Sequence, residues 1–114
     1  MKMPGADNAL ISTEKVVCYL LNPDHPDGAS KAKVLAHAGF DRSRPEELEE
    51  ALRTQHLGRD ARLGKSSAFG TKYEVSGPSS GPQGTVMATS VWMIRHGESF
   101  PRLITLVPEP GESS

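Results

Sequence analysis

Residues 85–95 read Thr-Val-Met-Ala-Thr-Ser-Val-Trp-Met-Ile-Arg. β-Branched and aromatic side chains dominate it, which is typical of a β-strand. Apolar residues fall on both faces of such a strand: Val86, Ala88, Trp92 and Ile94 on one, and Met87, Val91 and Met93 on the other. A strand that is apolar on both faces is buried between neighbours. We therefore expect residues 85–95 to form the central strand of a sheet, with Trp92 in the core.

Two alternating stretches flank this strand. Residues 72–75 (Lys-Tyr-Glu-Val) and residues 102–107 (Arg-Leu-Ile-Thr-Leu-Val) alternate polar with apolar side chains, as strands with one solvated face do. The Gly-, Pro- and Ser-rich residues 77–84 predict a loose hairpin loop, and residues 96–101 predict a tighter one. The C-terminal half thus predicts three antiparallel strands. The basic residues 58–67 before them predict a mobile connection or one short extra turn.

The N-terminal half shows helical periodicity instead. A first helix begins after residue 11 and ends at Asn22-Pro23, a second covers residues 30–38, and a third opens at the capping box of residues 43–46. Such an order of elements predicts an α+β fold. In this fold, three N-terminal helices pack on a three- to four-stranded antiparallel sheet.

The chain length of 114 residues suits one domain, residues 1–114. Its ordered core is expected at about residues 10–108, followed by a flexible tail at residues 109–114 that has no apolar anchor. The formal net charge is −1, so an anion site must come from a local cluster of cations. No stretch reaches the ~18 apolar residues of a membrane span, and the N-terminus lacks a signal-peptide core. We expect no membrane partner and a cytoplasmic site of action.

Several kinds of site are disfavoured by residue spacing. The single Cys18 excludes an intramolecular disulfide, and its place in an apolar run predicts a buried thiol. The four histidines lack metal-ligand spacing, and phosphate-loop, dinucleotide-binding and Gly-x-Ser-x-Gly patterns do not occur. His37 and His56 fall late in predicted helices, where a cation suits the helix end. We expect neither a metal nor a cofactor.

Two groups of residues could carry chemistry. In the first, a Pro-rich turn presents His25 before a helix that begins near Lys31, which suits a proton-transfer group beside a phosphate seat. A solvated turn before an ordinary amphipathic helix is the alternative. In the second, Arg102 and Thr105 of the last strand could bind phosphoryl oxygens. Strand alternation would place Arg102 with Ile104 and Thr105 on the opposite face. The alternative makes them an edge charge and a strand former.

Further candidates lie at strand ends and in the basic stretch. Tyr73 could stack on a base or donate a proton, although a half-buried strand tyrosine is the commoner explanation. His96, in a turn, is expected to be exposed and without a role. The candidate RNA-binding cations are Lys33, Arg59, Arg62, Lys65 and Arg95.

Several motifs carry a family resemblance that spans residues 10–108. They are Leu20-Leu21-Asn22-Pro23, His25-Pro26-x-Gly28-x-x-Lys31-Ala32, Gly39-Phe40, Gly70-x-x-Tyr73, Val91-Trp92 and Pro101-Arg102-Leu103-x-Thr105. In this order they resemble a family of small bacterial domains of unknown function. Those domains occur in toxin–antitoxin gene pairs or at the C-terminal ends of large secreted toxins. The fold is similar to that of the ribonuclease toxins related to barnase, colicin E5 and RelE.

The resemblance implies a metal-independent endoribonuclease toxin. By similarity, His25 is the acid or base, Lys31 or Arg102 neutralises phosphate charge, Thr105 orients a phosphate oxygen, and Tyr73 is a further member. The implied partners are RNA, such as a tRNA, and a cognate antitoxin or immunity protein. The slightly acidic composition departs from the strong positive charge expected of such a toxin.

Two other functions remain open on the sequence. A non-enzymatic protein-binding module or antitoxin would use the exposed sheet face or the third helix, and would show a contiguous apolar patch. A different toxin chemistry, such as ADP-ribosyl transfer, would need a nicotinamide pocket.

Overall fold

Helices precede a four-stranded sheet in the computed structural model, which describes residues 1–109. A short 3₁₀ turn (Ala6–Asn8) comes first, and helix α1 (Thr13–Lys15) then continues into a π-helical turn (Val16–Leu20). Helix α2 is Ala29–His37. Helix α3 (Pro45–Ala51) continues into a second π-helical turn (Leu52–His56). The strands are β1 (Arg62–Ser66), β2 (Gly70–Gly81), β3 (Gly84–Arg95) and β4 (Arg102–Pro108). The predicted α+β class is confirmed. Residues 110–114 of the predicted tail lie outside the described residues.

The sheet is antiparallel throughout, in the order β1-β2-β3-β4. As predicted, β3 lies inside the sheet and Trp92 is fully buried. The expected mobile connection at residues 58–67 is wrong, because Arg62 and Leu63 pair with Glu74 and Tyr73 of β2. The small and basic residues of β1 give no local strand signal, so its pairing to an existing edge decides its conformation.

The predicted loose loop at residues 77–84 is also wrong. Strand β2 runs to Gly81, which pairs with Gly84, so only Pro82 and Gln83 form the turn. Pro78 is tolerated inside β2 because β1 pairs only as far as Glu74, which leaves β2 as an edge there. A proline without an N–H donor can occupy such an edge.

The core lies between the helices and one face of the sheet. Its largest fully buried apolar side chains are Trp92, Leu20, Leu35, Leu48, Leu52 and Leu106. Each π-helical turn has an i to i+5 bond: the N–H of Leu21 donates to the carbonyl of Val16 at 2.9 Å, and the N–H of Leu57 donates to Leu52 at 3.0 Å. Within residues 1–109, no helix is both long and apolar enough to cross a membrane.

Two local expectations in the helices fail. The capping residue of α3 is Arg44, without a side-chain cap, because the N–H of Ser43 instead donates to the Asp41 carboxylate at 3.1 Å in a preceding turn. Cys18 is exposed rather than buried. The π-helical turn widens the helix, so a residue's face cannot be read from α-helical periodicity there.

His56 is a buried polar residue rather than a solvated charge at a helix end. Its side chain is fully buried, with Nδ1 2.8 Å from the Ser90 hydroxyl and Nε2 3.0 Å from the Ser79 hydroxyl. The indole N–H of Trp92 donates to the same Ser90 oxygen at 2.8 Å. Burial lowers the pKa of His56 below its ordinary value of 6.5. The ring is therefore neutral near pH 7 and ties the second π-helical turn to the sheet.

Candidate functional site

The turn before α2 is held by its own histidine. The backbone N–H groups of Asp27 and Gly28 donate to His25 Nδ1 at 2.9 and 3.1 Å. Because Nδ1 accepts both bonds, the neutral ring carries its proton on Nε2, where it can be donated to a ligand. The turn packs against the first helix, where a Cβ at Gly28 would come within 2.1 Å of the Tyr19 carbonyl oxygen. This close approach requires glycine.

Tyr19 stands at the centre of a group of polar side chains. Its hydroxyl lies 3.1 Å from Thr105 Oγ1, and the His25 ring meets it edge-on with 4.9 Å between ring centroids. Lys31 Nζ donates to the same Thr105 oxygen at 2.7 Å and lies 5.2 Å from the Tyr19 ring centroid. Lys15 Nζ lies 5.7 Å from that centroid. We call these five half-buried residues the Tyr19 cluster.

A bulge in β4 accounts for the position of Thr105. Val91 pairs with Thr105 and Trp92 pairs with Leu103, so Ile104 is an extra residue without a partner. Bulges bend a strand and re-aim its side chains, often beside active sites. The alternation predicted for this strand is therefore wrong: Leu103 and Thr105 oppose consecutive residues of β3, which face opposite sides of a sheet.

Electrostatics in the Tyr19 cluster favour the phenolate. Partial burial acts to raise the pKa of Tyr19, but the bonding and charge of Lys31 and the Thr105 hydroxyl outweigh it, and the pKa lies below its ordinary value of 10.0. Thr105 accepts from the Lys31 ammonium, so its own proton is free to point at the Tyr19 oxygen. The result is a hydrogen-bonded chain from Lys31 through Thr105 to Tyr19, and such chains strengthen each bond in them.

Arg102 is engaged elsewhere. Its guanidinium donates two bonds to the Glu98 carboxylate, at 2.9 and 2.7 Å, and lies 5.3 Å from the Phe100 ring centroid. The bond with Glu98 raises the pKa of Arg102, and the same bond lowers the pKa of Glu98. Arg102 therefore braces the connection between β3 and β4.

Tyr73 lies in the core. It is 9% exposed and pairs with Trp92 between β2 and β3. In the described part of the chain, no hydrogen bond joins Tyr73 or Arg102 to Tyr19. The structure thus brings together three of the five candidate catalytic residues, namely His25, Lys31 and Thr105.

The candidate RNA-binding cations are spread over the molecule. Arg62 pairs with Glu74 at 2.8 Å, and Arg59 donates to the carbonyl of Gln55 at 2.8 Å. Lys65 and Arg95 are exposed on strands β1 and β3. Strand β1 is at the opposite edge of the sheet from Thr105. Lys33 alone shares a helix with Lys31.

Sequence reasoning missed Tyr19 and Lys15. Tyr19 sits among Val16, Val17 and Leu20, so it resembles one more member of an apolar helix face. A usable signal was present, because Lys15 precedes Tyr19 by four residues and such pairs meet on one side of a helix. That spacing places the Lys15 ammonium beside the Tyr19 ring, just before the His25 turn.

Comparison with known proteins gives one family. The profile of a family described as "Domain of unknown function (DUF6883)" matches residues 2–110. No curated protein and no solved structure matches the chain.

Proposed function

The chain belongs to the DUF6883 family, whose description assigns no function. From the geometry of the Tyr19 cluster we propose that it is a metal-independent endoribonuclease, the toxin of a bacterial toxin–antitoxin or secreted toxin system. One observation carries the proposal: a tyrosine whose pKa is lowered lies beside a lysine and a histidine, joined to the lysine through the Thr105 hydroxyl. RNA transphosphorylation requires a base, an acid and positive charge around one phosphate.

Tyr19 supplies the base. The ribose 2′-oxygen attacks the neighbouring phosphorus while the 2′-hydroxyl proton passes to the Tyr19 phenolate. Bonding to the Thr105 hydroxyl and the charge of Lys31 lower the pKa of Tyr19 and so favour its phenolate form as the base. General base catalysis of this kind contributes about 10²- to 10⁴-fold.

Lys31 supplies the acid. As the bond between phosphorus and the 5′-oxygen breaks, the leaving oxygen takes a proton from the Lys31 ammonium. The products are a 2′,3′-cyclic phosphate and a free 5′-hydroxyl. Thr105 contacts both groups, so the proton gained by Tyr19 returns to Lys31 through the Thr105 hydroxyl and resets the site.

The remaining members of the Tyr19 cluster stabilise charge. The His25 Nε2–H donates to a non-bridging phosphoryl oxygen, and Lys15 adds a second ammonium on the other helix. Preorganised donors of this kind act where charge develops. A local pair of lysines serves this role although the whole chain carries a formal charge of −1. In this proposal Tyr19 takes the role first considered for Tyr73, and Arg102 is structural.

The proposed biological setting rests on the resemblance of the sequence motifs to bacterial toxin domains. Cellular RNA, such as a tRNA, is the substrate, so the site of action is the cytoplasm. A cognate antitoxin or immunity protein would neutralise the activity.

The test compares two tyrosine variants. Four proteins are expressed in a bacterium: wild type, Tyr19→Phe, Lys31→Ala and the core control Tyr73→Phe. Growth is recorded and RNA termini are mapped for each. We expect growth arrest and new ends bearing 2′,3′-cyclic phosphate with wild type and Tyr73→Phe only. The purified protein should cleave equally in the presence of EDTA. Full activity of Tyr19→Phe would overturn the assignment, and intact RNA with normal growth would favour the protein-binding module.

A further inference from the structure

A groove lies on another side of α2 from the Tyr19 cluster. It has a volume of about 730 Å³, and it is lined by the buried Leu21 and Phe40 and the exposed Ala36. Volumes of this size suit small organic ligands or one or two residues of a polymer. Lys31 and Lys33 differ by about 200° around the helix, so Lys31 reaches Thr105 while Lys33 lines the groove.

The rim of the groove is cationic. Lys33, Arg42 and Arg44 line it together with one acidic residue, Asp41. The Asp41 carboxylate is already bonded to the N–H of Ser43 at 3.1 Å. All three cations are exposed.

Existing contacts hold these cations only loosely. Arg42 donates to the Asn22 side-chain oxygen at 3.4 Å, and Arg44 lies 3.6 Å from a Glu47 carboxylate oxygen. The Arg42 contact is long and exposed and contributes little energy. The Glu47 oxygen near Arg44 is buried, so Lys33 and Arg42 are the cations most available to a ligand. An apolar floor with a guanidinium rim is complementary to a nucleotide, because a base has apolar faces that stack on arginine and its phosphate is anionic.

The turn before α2 connects the groove to the Tyr19 cluster. Pro23 and Ala29 line the groove, while His25 and Gly28, between them in sequence, pack against Tyr19. A strand crossing this turn can place one phosphate at the Tyr19 cluster and a neighbouring nucleotide in the groove.

We propose that this groove is a subsite for an unpaired RNA nucleotide beside the scissile phosphate. The proposal rests on the proposed function and deepens it by naming single-stranded RNA as the substrate class. A duplex keeps its bases stacked and paired, so they could not enter a groove of this size.

The test uses the full chain and two matched pairs of substitutions. The groove pair, Lys33→Ala with Arg42→Ala, removes two cations that line the groove. The far-edge pair, Arg59→Ala with Lys65→Ala, removes two exposed cations near strand β1, at the sheet edge opposite β4. A separate variant, Ala36→Phe, fills the groove without changing charge. Affinity is measured by fluorescence anisotropy with a single-stranded 2′-O-methyl decanucleotide, which lacks the attacking hydroxyl, and cleavage is measured with the matching RNA.

We expect the groove pair and Ala36→Phe to weaken oligonucleotide binding about tenfold, as loss of a stacked or bidentate contact does. KM for RNA should rise similarly while kcat is retained, and the far-edge pair should change neither. The groove pair should also lower the slope of log affinity against log salt by about one or two.

Two outcomes separate this proposal from the proposed function. If wild type cuts RNA and the groove variants bind and cut like wild type, the subsite is wrong and the ribonuclease stands. Equal weakening by both pairs, with Ala36→Phe unaffected, would also overturn the subsite. If no RNA is cut but the groove variants alone lose oligonucleotide affinity, the subsite stands and the cleavage activity fails.

Discussion

The Lys31 ammonium donates to the Thr105 hydroxyl across 2.7 Å and so joins helix α2 to the edge strand β4. The two residues are 74 positions apart in the chain. Their contact depends on the β4 bulge and on the turn that starts α2. The contact helps to lower the pKa of Tyr19, because the Thr105 oxygen also lies 3.1 Å from the Tyr19 hydroxyl.

Replacing Thr105 by Val should remove the link between Lys31 and Tyr19. The two side chains have similar shape, so the fold should be kept. The pKa of Tyr19 should rise, because a bond that lowers it is lost, and RNA cleavage should fall about 10²-fold or more. Tyrosine absorbance titrated against pH, in a Tyr73→Phe background that leaves one phenol, reports the first effect.

Thr105→Ser is the matched control for that experiment. It keeps the hydroxyl and should restore both the low pKa of Tyr19 and most of the cleavage. A Thr105→Val protein with an unchanged tyrosine titration would show that the hydroxyl does not act on Tyr19.

Three residues of the Tyr19 cluster could be identified from local sequence, but the contacts that join them could not. His25, Lys31 and Thr105 were found because a Pro-rich turn, a helix start and a strand threonine are local features. The bulge at Ile104 has no such feature, so the face of Thr105 could not be derived from strand alternation. Tyr19 was missed because a phenol amid valines and leucines resembles core until its tertiary partners are known.

Tertiary contacts that have no local sequence signal also explain why residues 58–67 and 77–84 were wrongly predicted. The apolar run around Trp92 identified the inner strand. Only its Trp92 face is buried in the core, whereas Met87 on the other face is 48% exposed. Strand β1 and the end of β2 contain Gly, Ser and Pro78, which are poor strand formers. Their conformation comes from pairing and from partners such as His56, which binds Ser79 at 3.0 Å.

Stability should fall in mild acid because of His56. The folded pKa of His56 lies below the unfolded value of 6.5, so the unfolded chain binds more protons as pH falls through that value. The titration of His56 leaves the free energy of unfolding unchanged above about pH 6.5. Below that pH it lowers the free energy of unfolding, until the pH reaches the folded pKa, with a slope of up to about 1.4 kcal/mol per pH unit. Urea unfolding between pH 5 and 8 measures it.

His56→Gln should lower the free energy of unfolding at neutral pH, since it disturbs buried bonds to Ser79 and Ser90, and should flatten the acid dependence. His37→Gln, at an exposed position, should leave both unchanged. An acid dependence that is as steep in His56→Gln as in wild type would place the titrating group elsewhere.

Gly28→Ala should damage the site through a steric clash. A Cβ there would lie 2.1 Å from the Tyr19 carbonyl oxygen, so the turn that carries His25 must move away from Tyr19. We expect a loss of about 1–3 kcal/mol in the free energy of unfolding, as for an overpacked site, and a larger proportional loss of cleavage. Gly58→Ala is the control, because a Cβ there meets no atom within 4 Å. Equal effects of the two substitutions would show that the turn does not depend on close packing at Gly28.

Arg102→Ala separates a structural role from a catalytic one. The side chain makes two bonds to Glu98 and lies over Phe100, so its loss should loosen the connection between β3 and β4 and lower the melting temperature. Cleavage by the folded protein should change little, because the Tyr19 cluster keeps all its members. Glu98→Ala is the matched variant and should lower the melting temperature similarly, since it breaks the same pair. Arg102→Ala could abolish cleavage at a temperature where the protein is folded, while Glu98→Ala remains active. That result would show that the guanidinium contacts the substrate. The charge at the phosphate would then not come from the two lysines alone.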